Sequence, residues 1–423
     1  MIRQINKILI TLVLIVGIII LYLSYFGIKT DKFNDIIKKE AINLNTRINL
    51  NLKNINILLN PFDFTLNFST ENPKILLDSN QIKLEYVNTN ISIKSLINKE
   101  FSIDDLKISF KKAKLKNIIL LARSFKDSTE FFLLDKIIKK GFLTGEIQFN
   151  FDNNGKIIDD YLLEGAVEKV RLSLLNDNNL ENLEFLFKIQ KKNYQLTKVK
   201  TNFNKIKLSS PKIKIKDKKD FFYIEGKILT KENDINLEKL KRLFQNDIGD
   251  LNLEKINFSS NSNFSFNISK HLKIKDLKIE SQVDLKKLYL KNNQINLKSY
   301  FPNFEEELEF KNHKIEIIYK KNKLSLIGEG KILINQKVDA VSYIIKRNNK
   351  DYTFNINLNI NQNPLNINFL DYSKNEKIKS SLVINCTYNK IKKTKCNNIL
   401  FEENKNNISI NNIRLMKMYS YFL

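Results

Sequence analysis

The stretch YTFNINLNINQNPLNINFL, Tyr352 to Leu370, constrains the fold more than any other part of the chain. Tyr352, Phe354, Ile356, Leu358 and Ile360 alternate with polar residues, mostly Asn. After Asn-Gln-Asn-Pro the alternation resumes at Leu365, Ile367 and Phe369. A period of two sends successive side chains to opposite faces of a strand, one apolar and one wet. The same cadence recurs almost from end to end. In RINLNLKNINILL, Ile48, Leu50 and Leu52 share one parity and Ile55, Ile57 and Leu59 the other, which predicts a turn or bulge near Asn54. FTLNFS continues the pattern through Phe64, Leu66 and Phe68.

Between these runs lie Asp152-Asn153-Asn154-Gly155, Lys191-Lys192-Asn193, Asn292-Asn293, Lys320-Lys321-Asn322 and Arg347-Asn348-Asn349. With only 10 glycines in 423 residues, Asn and Asp are the residues left to adopt left-handed backbone at turns. No linker rich in Pro, Gly or Ser divides the chain, so the sequence places no boundary between compact domains. Lysine is spread evenly on the polar side of the strands, so the net charge of +25 reads mainly as a solvated face. Contact with anionic lipid head groups is the secondary reading of that charge.

Helical spacing replaces the alternation in three places. TDKFNDIIKKEAI, Thr30 to Ile42, predicts a short helix near residues 31–43 with Phe33, Ile36, Ile37 and Ala41 on one side. LKNIILLARSF and EFFLLDKIIKKG predict a helical insertion over 115–141, with Asp127 and Glu130 as a capping box and Lys-Lys-Gly as the stop. INLEKLKRLF predicts a further helix over 235–244.

ILITLVLIVGIIILYLSYF, Ile8 to Phe26, is 19 residues without a charge. As a helix it is roughly 28 Å long, close to the hydrocarbon thickness of a bilayer. Arg3 and Lys7 precede it, and Tyr22 and Tyr25 sit at its far end like an interfacial belt. A cleaved signal peptide is the competing reading, but the run is long for one and no small-x-small site follows. An uncleaved anchor is expected, N-terminus inside, with everything after Thr30 outside. Cys386 and Cys396 flank a Lys/Asn-rich turn. They would bridge across a hairpin in an oxidising compartment, or stay two unpaired small hydrophobes.

No catalytic or metal motif stands out. His271 and His313 read as surface histidines in Lys-rich contexts, and the pairs Asp104-Asp105 and Asp159-Asp160 as turns or solvated faces. CxxC, HExxH, GxSxG and phosphate-binding glycine loops are missing. Neither an enzyme nor a cofactor is expected. Interleaved Lys and aromatic residues come free with such strands, so no nucleic-acid partner is expected either.

One-sided strands in this number can close as a sandwich or barrel, or curl into a long sheet with an apolar trough. Such a trough needs an occupant, and acyl chains suit it because they require no polar contacts. The anchor, short helix and strands lead into NPKILLDSNQIKLEYVNTNISIKSLINKEFSIDDLKISFKKAKL, Asn72 to Leu115. GFLTGEIQFNFDNNGKIIDDYLLEGAVEKVRL, Gly141 to Leu172, adds a strand pair. Together these segments resemble the AsmA-like superfamily.

The resemblance implies a cytoplasmic tail (1–7), an inner-membrane anchor (8–26) and a periplasmic region (27–423) forming an elongated, curled, antiparallel groove. It implies phospholipid movement toward the outer membrane, or outer-membrane biogenesis, as a bridge-like lipid-transfer protein, and an outer-membrane or envelope partner. About 25 strands would extend on the order of 120 Å, and the apolar segment IRLMKMYSYFL leaves open a partner or a further extension. Phe64, Leu66, Phe68, Phe354, Ile356, Leu358 and Ile360 are the expected groove lining for phospholipid acyl chains. The alternative is a tethered envelope scaffold whose sheet closes on an ordinary core.

Overall fold

A computed structural model describes residues 2–98, 103–125, 129–152, 154, 156, 158, 161–173, 178–191, 193–236, 252–269, 273–291, 297–302, 304, 307–334, 336–389 and 393–415. The protein is mainly β, with one apolar N-terminal helix, a few short helices and a long antiparallel sheet. Among the described residues 22 strands belong to that sheet and two form a separate ribbon. The chain divides into two compact units, Met1–Phe203 and Asn204–Leu423.

The first unit opens with α1 (Ile2–Tyr25), β1 (Ile28–Thr30), α2 (Asn34–Leu44), β2 (Ile48–Asn51) and β3 (Ile55–Asn60). It continues through β4 (Thr65–Glu71), β5 (Lys74–Leu77), β6 (Asn80–Ser92), α3 (Ile93–Ile97) and β7 (Ile103–Lys114). Then come α4 (Leu115–Phe125), α5 (Thr129–Ile137), β8 (Ile138–Asn150), β9 (Leu162–Ser173), β10 (Asn179–Gln190) and β11 (Asn193–Phe203). Within α1, Asn6–Tyr25 has a mean hydropathy of 2.8 and is long and apolar enough to cross a membrane. The helix starts before the expected Ile8 and stops short of Phe26. Gly27 (φ +66°) turns the chain into β1, with no room for a side chain beside Leu58.

The expected break near Asn54 separates β2, which pairs with β5, from β3, which pairs with β1 and β4. The helical insertion is shorter than expected. Residues 138–141 belong to β8, where Ile138 faces Leu172 and Lys140 faces Arg171, so ladder pairing overrides the Lys-Lys-Gly stop. Gly141 packs against Val170 instead of ending a helix, and Asp127 of the expected capping box lies outside the described residues.

The second unit holds β12 (Ile206–Asp217), β13 (Phe221–Asn236), β14 (Asn252–Ser269), β15 (Ile274–Lys291), β16 (Glu307–Lys320) and β17 (Lys323–Ile334). After these follow β18 (Lys337–Asn348), β19 (Asp351–Asn359), β20 (Leu365–Ile367), β21 (Tyr372–Lys374), β22 (Ser380–Asn389), β23 (Lys393–Glu403) and β24 (Asn406–Leu415). The helix expected over 235–244 is corrected at its start. Ile235 and Asn236 pair with Ile256 and Lys255 as strand, and 237–244 lie outside the described residues. The resumed alternation after Pro364 does not join the long sheet. β20 pairs only with β21, and residues 368–370 turn into a short 3-10 helix.

Two-residue hairpin loops include those at Lys320–Lys323, Asn348–Asp351 and Glu403–Asn406. Each has Asn in left-handed backbone: Asn322 (φ 61°), Asn349 (55°) and Asn404 (53°). Such turns match the twist of the strands they join.

Candidate functional site

In an antiparallel sheet, directly opposed residues share a face. From Ile356 in β19, one row runs through Tyr343, Gly328 and Ile315 to Val283. In the other direction it runs through Ile384 and Ile399 to Ile410. A second row takes Phe354 through Ile345 and Leu326 to Ile317, and on its other side through Cys386 and Cys396 to Ile413. Leu358 heads a third with Val341, Leu382, Phe401 and Ile408. The result is a broad apolar face running from β15 to β24. Its opposite face is mixed, with Asn355, Asn357, Asn385 and Asn398 at intervening positions beside Ile327, Ile344, Val383 and Leu400.

Along β19 the apolar residues Tyr352, Phe354, Ile356 and Leu358 are half-buried and the polar ones between them exposed. The apolar face is therefore neither sealed nor fully open. One end is closed by residues 297–302, Phe304 and 360–374. Phe301, Phe304, Ile360 and Leu365 form a buried cluster there with Ile332, Ile334, Val341 and Phe401. The two cap segments are joined by Asn366 N–H donating to the Tyr300 carbonyl (2.8 Å).

Asp339, itself buried, pins the cap. It accepts from the backbone N–H of Asn361 (2.7 Å) and Gln362 (2.9 Å) and from the Asn363 amide (2.7 Å). Lys374 is buried beside it and donates to the carbonyls of Asn375 and Ile378, each at 3.1 Å. Burial lowers the Lys374 pKa, while Asp339 and Glu376 oppose that shift. Phe354, Ile345 and Leu326 lie beyond the reach of this cluster.

The bridge between Cys386 and Cys396 (S–S 2.04 Å) joins β22 to β23 on the same face. His313 corrects the surface reading, being 1% exposed. Its Nε2–H donates to the Lys331 carbonyl (3.0 Å), so in the neutral ring Nδ1 accepts from the Tyr343 hydroxyl (3.2 Å). The two rings overlie glycines. A Cβ at Gly328 would sit 2.5 Å from the Tyr343 ring, and one at Gly330 would collide with His313. Burial lowers the His313 pKa and raises that of Tyr343 to about 12. Both rings are thus neutral near pH 7. Sequence reasoning missed this pair, although two glycines at alternate positions of one strand signal a close overlying group.

In the first unit, Ile57, Phe68, Thr89, Leu106 and Phe149 form one row and Leu59, Leu66 and Ile91 another. Leu66 and Phe68 are half-buried, with the Phe33 ring of α2 edge-on at 6.1 Å from that of Phe68. At the far strand ends α4 covers the face. Its Ile118 packs against both the Ile82–Leu84–Phe110 cluster and the Leu143–Val167–Phe187 cluster. Phe64 departs from its expected place. It lies in the turn before β4, in left-handed backbone (φ 55°), with its ring exposed. Ile360 departs in the opposite sense: it is 0% exposed and belongs to the cap core.

A cavity of about 610 Å³ opens in the second unit, where polar Glu316, Asn355 and Asn357 alternate with apolar Ile327, Ile344 and Val383 along its lining. Ile356 is among its lining residues, whereas Phe354 and Leu358 are not. Among the described residues no group of three His, Cys, Asp or Glu side chains is placed to hold a metal ion. His271, Asp159 and Asp160 lie outside the described residues. Compared with known proteins, the chain matches no family model, no curated protein and no solved structure.

Proposed function

We propose that the protein is a membrane-anchored lipid-binding protein of the bridge-like transfer type. Its sheet curls so that the apolar face carries phospholipid acyl chains. Membership of the AsmA-like superfamily is part of this proposal, with α1 in the inner membrane and the bulk of the chain in the periplasm. There it would serve phospholipid movement toward the outer membrane, or outer-membrane biogenesis, with an envelope partner at the receiving side. The observation that carries the reading is the row structure around β19. Several strands contribute apolar side chains to one face, and these stay half-exposed where the cap ends. A face of that kind demands a partner, and acyl chains can slide along it without polar contacts.

A tethered scaffold with an ordinary core is the second reading. It is favoured by the filled cluster under the cap, against which Ile356 and Leu358 pack. Native mass spectrometry and lipid extraction of residues 27–423 separate the two, since starting at Gly27 keeps β1 in its pairing with β3. Several phospholipids per chain are expected, lost in Phe354→Asp/Ile345→Asp, which lie outside the cap cluster, but retained in Asn355→Asp, which alters the opposite face. A folded wild-type fragment that carries no phospholipid and takes up none would sink the transport reading.

A further inference from the structure

We propose that the turn Pro61–Phe64 and α3 form a second membrane contact, seated in the interface of the same bilayer that α1 crosses. This rests on α1 as a membrane span and is independent of whether the sheet carries lipid. Phe62 is 97% exposed, Phe64 60% and Ile97 72%. The turn and α3 lie side by side, because Thr65 faces Ser92 and the Ile93 N–H donates to the Phe64 carbonyl at 3.0 Å. These three large apolar side chains therefore belong to one strand end.

The register places the anchor at that same end. Ile28 faces Ile57 and Thr30 faces Ile55, so β1 runs away from the turn. The chain segment before β1, which is α1, thus reaches the sheet from the turn's side. Gly27 is packed beside Leu58, only four residues before Phe62 or about 13 Å along an extended strand. Tyr25 and Phe26, also exposed, continue the aromatic band from the helix toward the turn. Aromatic side chains favour this depth of a bilayer, and the exposed Lys94 of α3 suits its head groups.

Backbone conformation adds a second argument. Among the described non-glycine residues with positive φ, the rest are Asn, Asp, Lys or Gln, and Phe64 (φ 55°) is the sole aromatic. A bulky residue is an unfavourable choice for left-handed backbone. A phenyl ring kept there, pointing outward, indicates a use for the ring that a turn alone does not supply.

The chain has no tryptophan, so Phe62→Trp gives an emission that reports on the turn alone. The full chain is reconstituted into phosphatidylcholine–phosphatidylglycerol vesicles whose acyl chains carry bromine close to the head groups. Phe62→Trp emission is expected to be blue-shifted and roughly halved by the brominated lipid. Phe132→Trp in α5, at the other strand end, is expected to be unquenched. Ile97→Trp is the second probe, should the turn variant misfold. Unquenched, water-like emission from whichever of the two probes folds overturns the proposal, as does equal quenching of Phe132→Trp. Phospholipid extracted with residues 27–423 reads the sheet separately, so an empty sheet with a quenched turn removes only the transport reading.

Discussion

Asparagine and lysine do in this chain much of what glycine does in other β proteins. Asn322, Asn349 and Asn404 take the left-handed position in two-residue hairpin loops. Lys112, Asn182 and Asn312 take it where the ladders shift register. That much was legible from the Asn-rich turns. The fate of the histidine was not, because burial of His313 depends on two glycines in the neighbouring strand and on a tyrosine one strand further. Its depressed pKa has a testable consequence. Below about pH 6.5 the unfolded chain takes up a proton that folded His313 resists. Stability is full above that pH and falls as pH drops toward the folded value, with a slope limited to about 1.4 kcal/mol per pH unit for one proton. Thermal melts from pH 7.5 to 5.5 should show this decline, and His313→Gln should remove His313's share of it. An unchanged slope in the variant would rule out the buried histidine as its source.

At the scale of elements, alternation identified the strands, while helices were legible only until a ladder competed with them. LKNIILLARSF forms α4, but the last residues of the expected second helix were claimed by β8, since pairing with β9 satisfies backbone groups that a helix end leaves open. Ile235 and Asn236 were captured in the same way by β14. The spacing of the cysteines left bridged and unpaired states open, and the hairpin of β22 and β23 brings the two together. The bridge closes a sequence separation of 10 residues, and loop-closure entropy for that length is roughly 2–3 kcal/mol. Cys386→Ser/Cys396→Ser should lower the denaturation free energy by about that amount. Limited proteolysis should then show earlier cutting near residues 390–395. An unchanged midpoint in denaturant would mean that strand pairing alone holds this hairpin.

For the whole molecule, the proposed membrane attachment has two separable sources, the apolar helix and the net charge of +25. Charge attraction to anionic vesicles is screened within about 10 Å at 0.1 M salt, whereas a spanning helix is insensitive to salt. Residues 27–423 should bind anionic vesicles at low ionic strength and leave them in high salt, while the full chain stays in the membrane. Flotation through a density gradient reads both; the few apolar side chains of the Pro61–Phe64 turn and α3 hold far less than a spanning helix, and a fully salt-resistant fragment would mean that charge is not what binds it. The sequence by itself determined the period-two strands, the antiparallel β class, the apolar N-terminal helix and the lack of a recognisable catalytic motif. Each of these follows from local spacing, because neighbouring residues set backbone conformation and which face a side chain takes. Only the tertiary structure decided which strand lies beside which, and therefore that Phe354 stays half-exposed while Ile360 is sealed. It also placed Phe64 at a turn and His313 under Tyr343. Burial is a property of contacts between residues far apart in the chain, and period-two alternation names the face without naming what covers it.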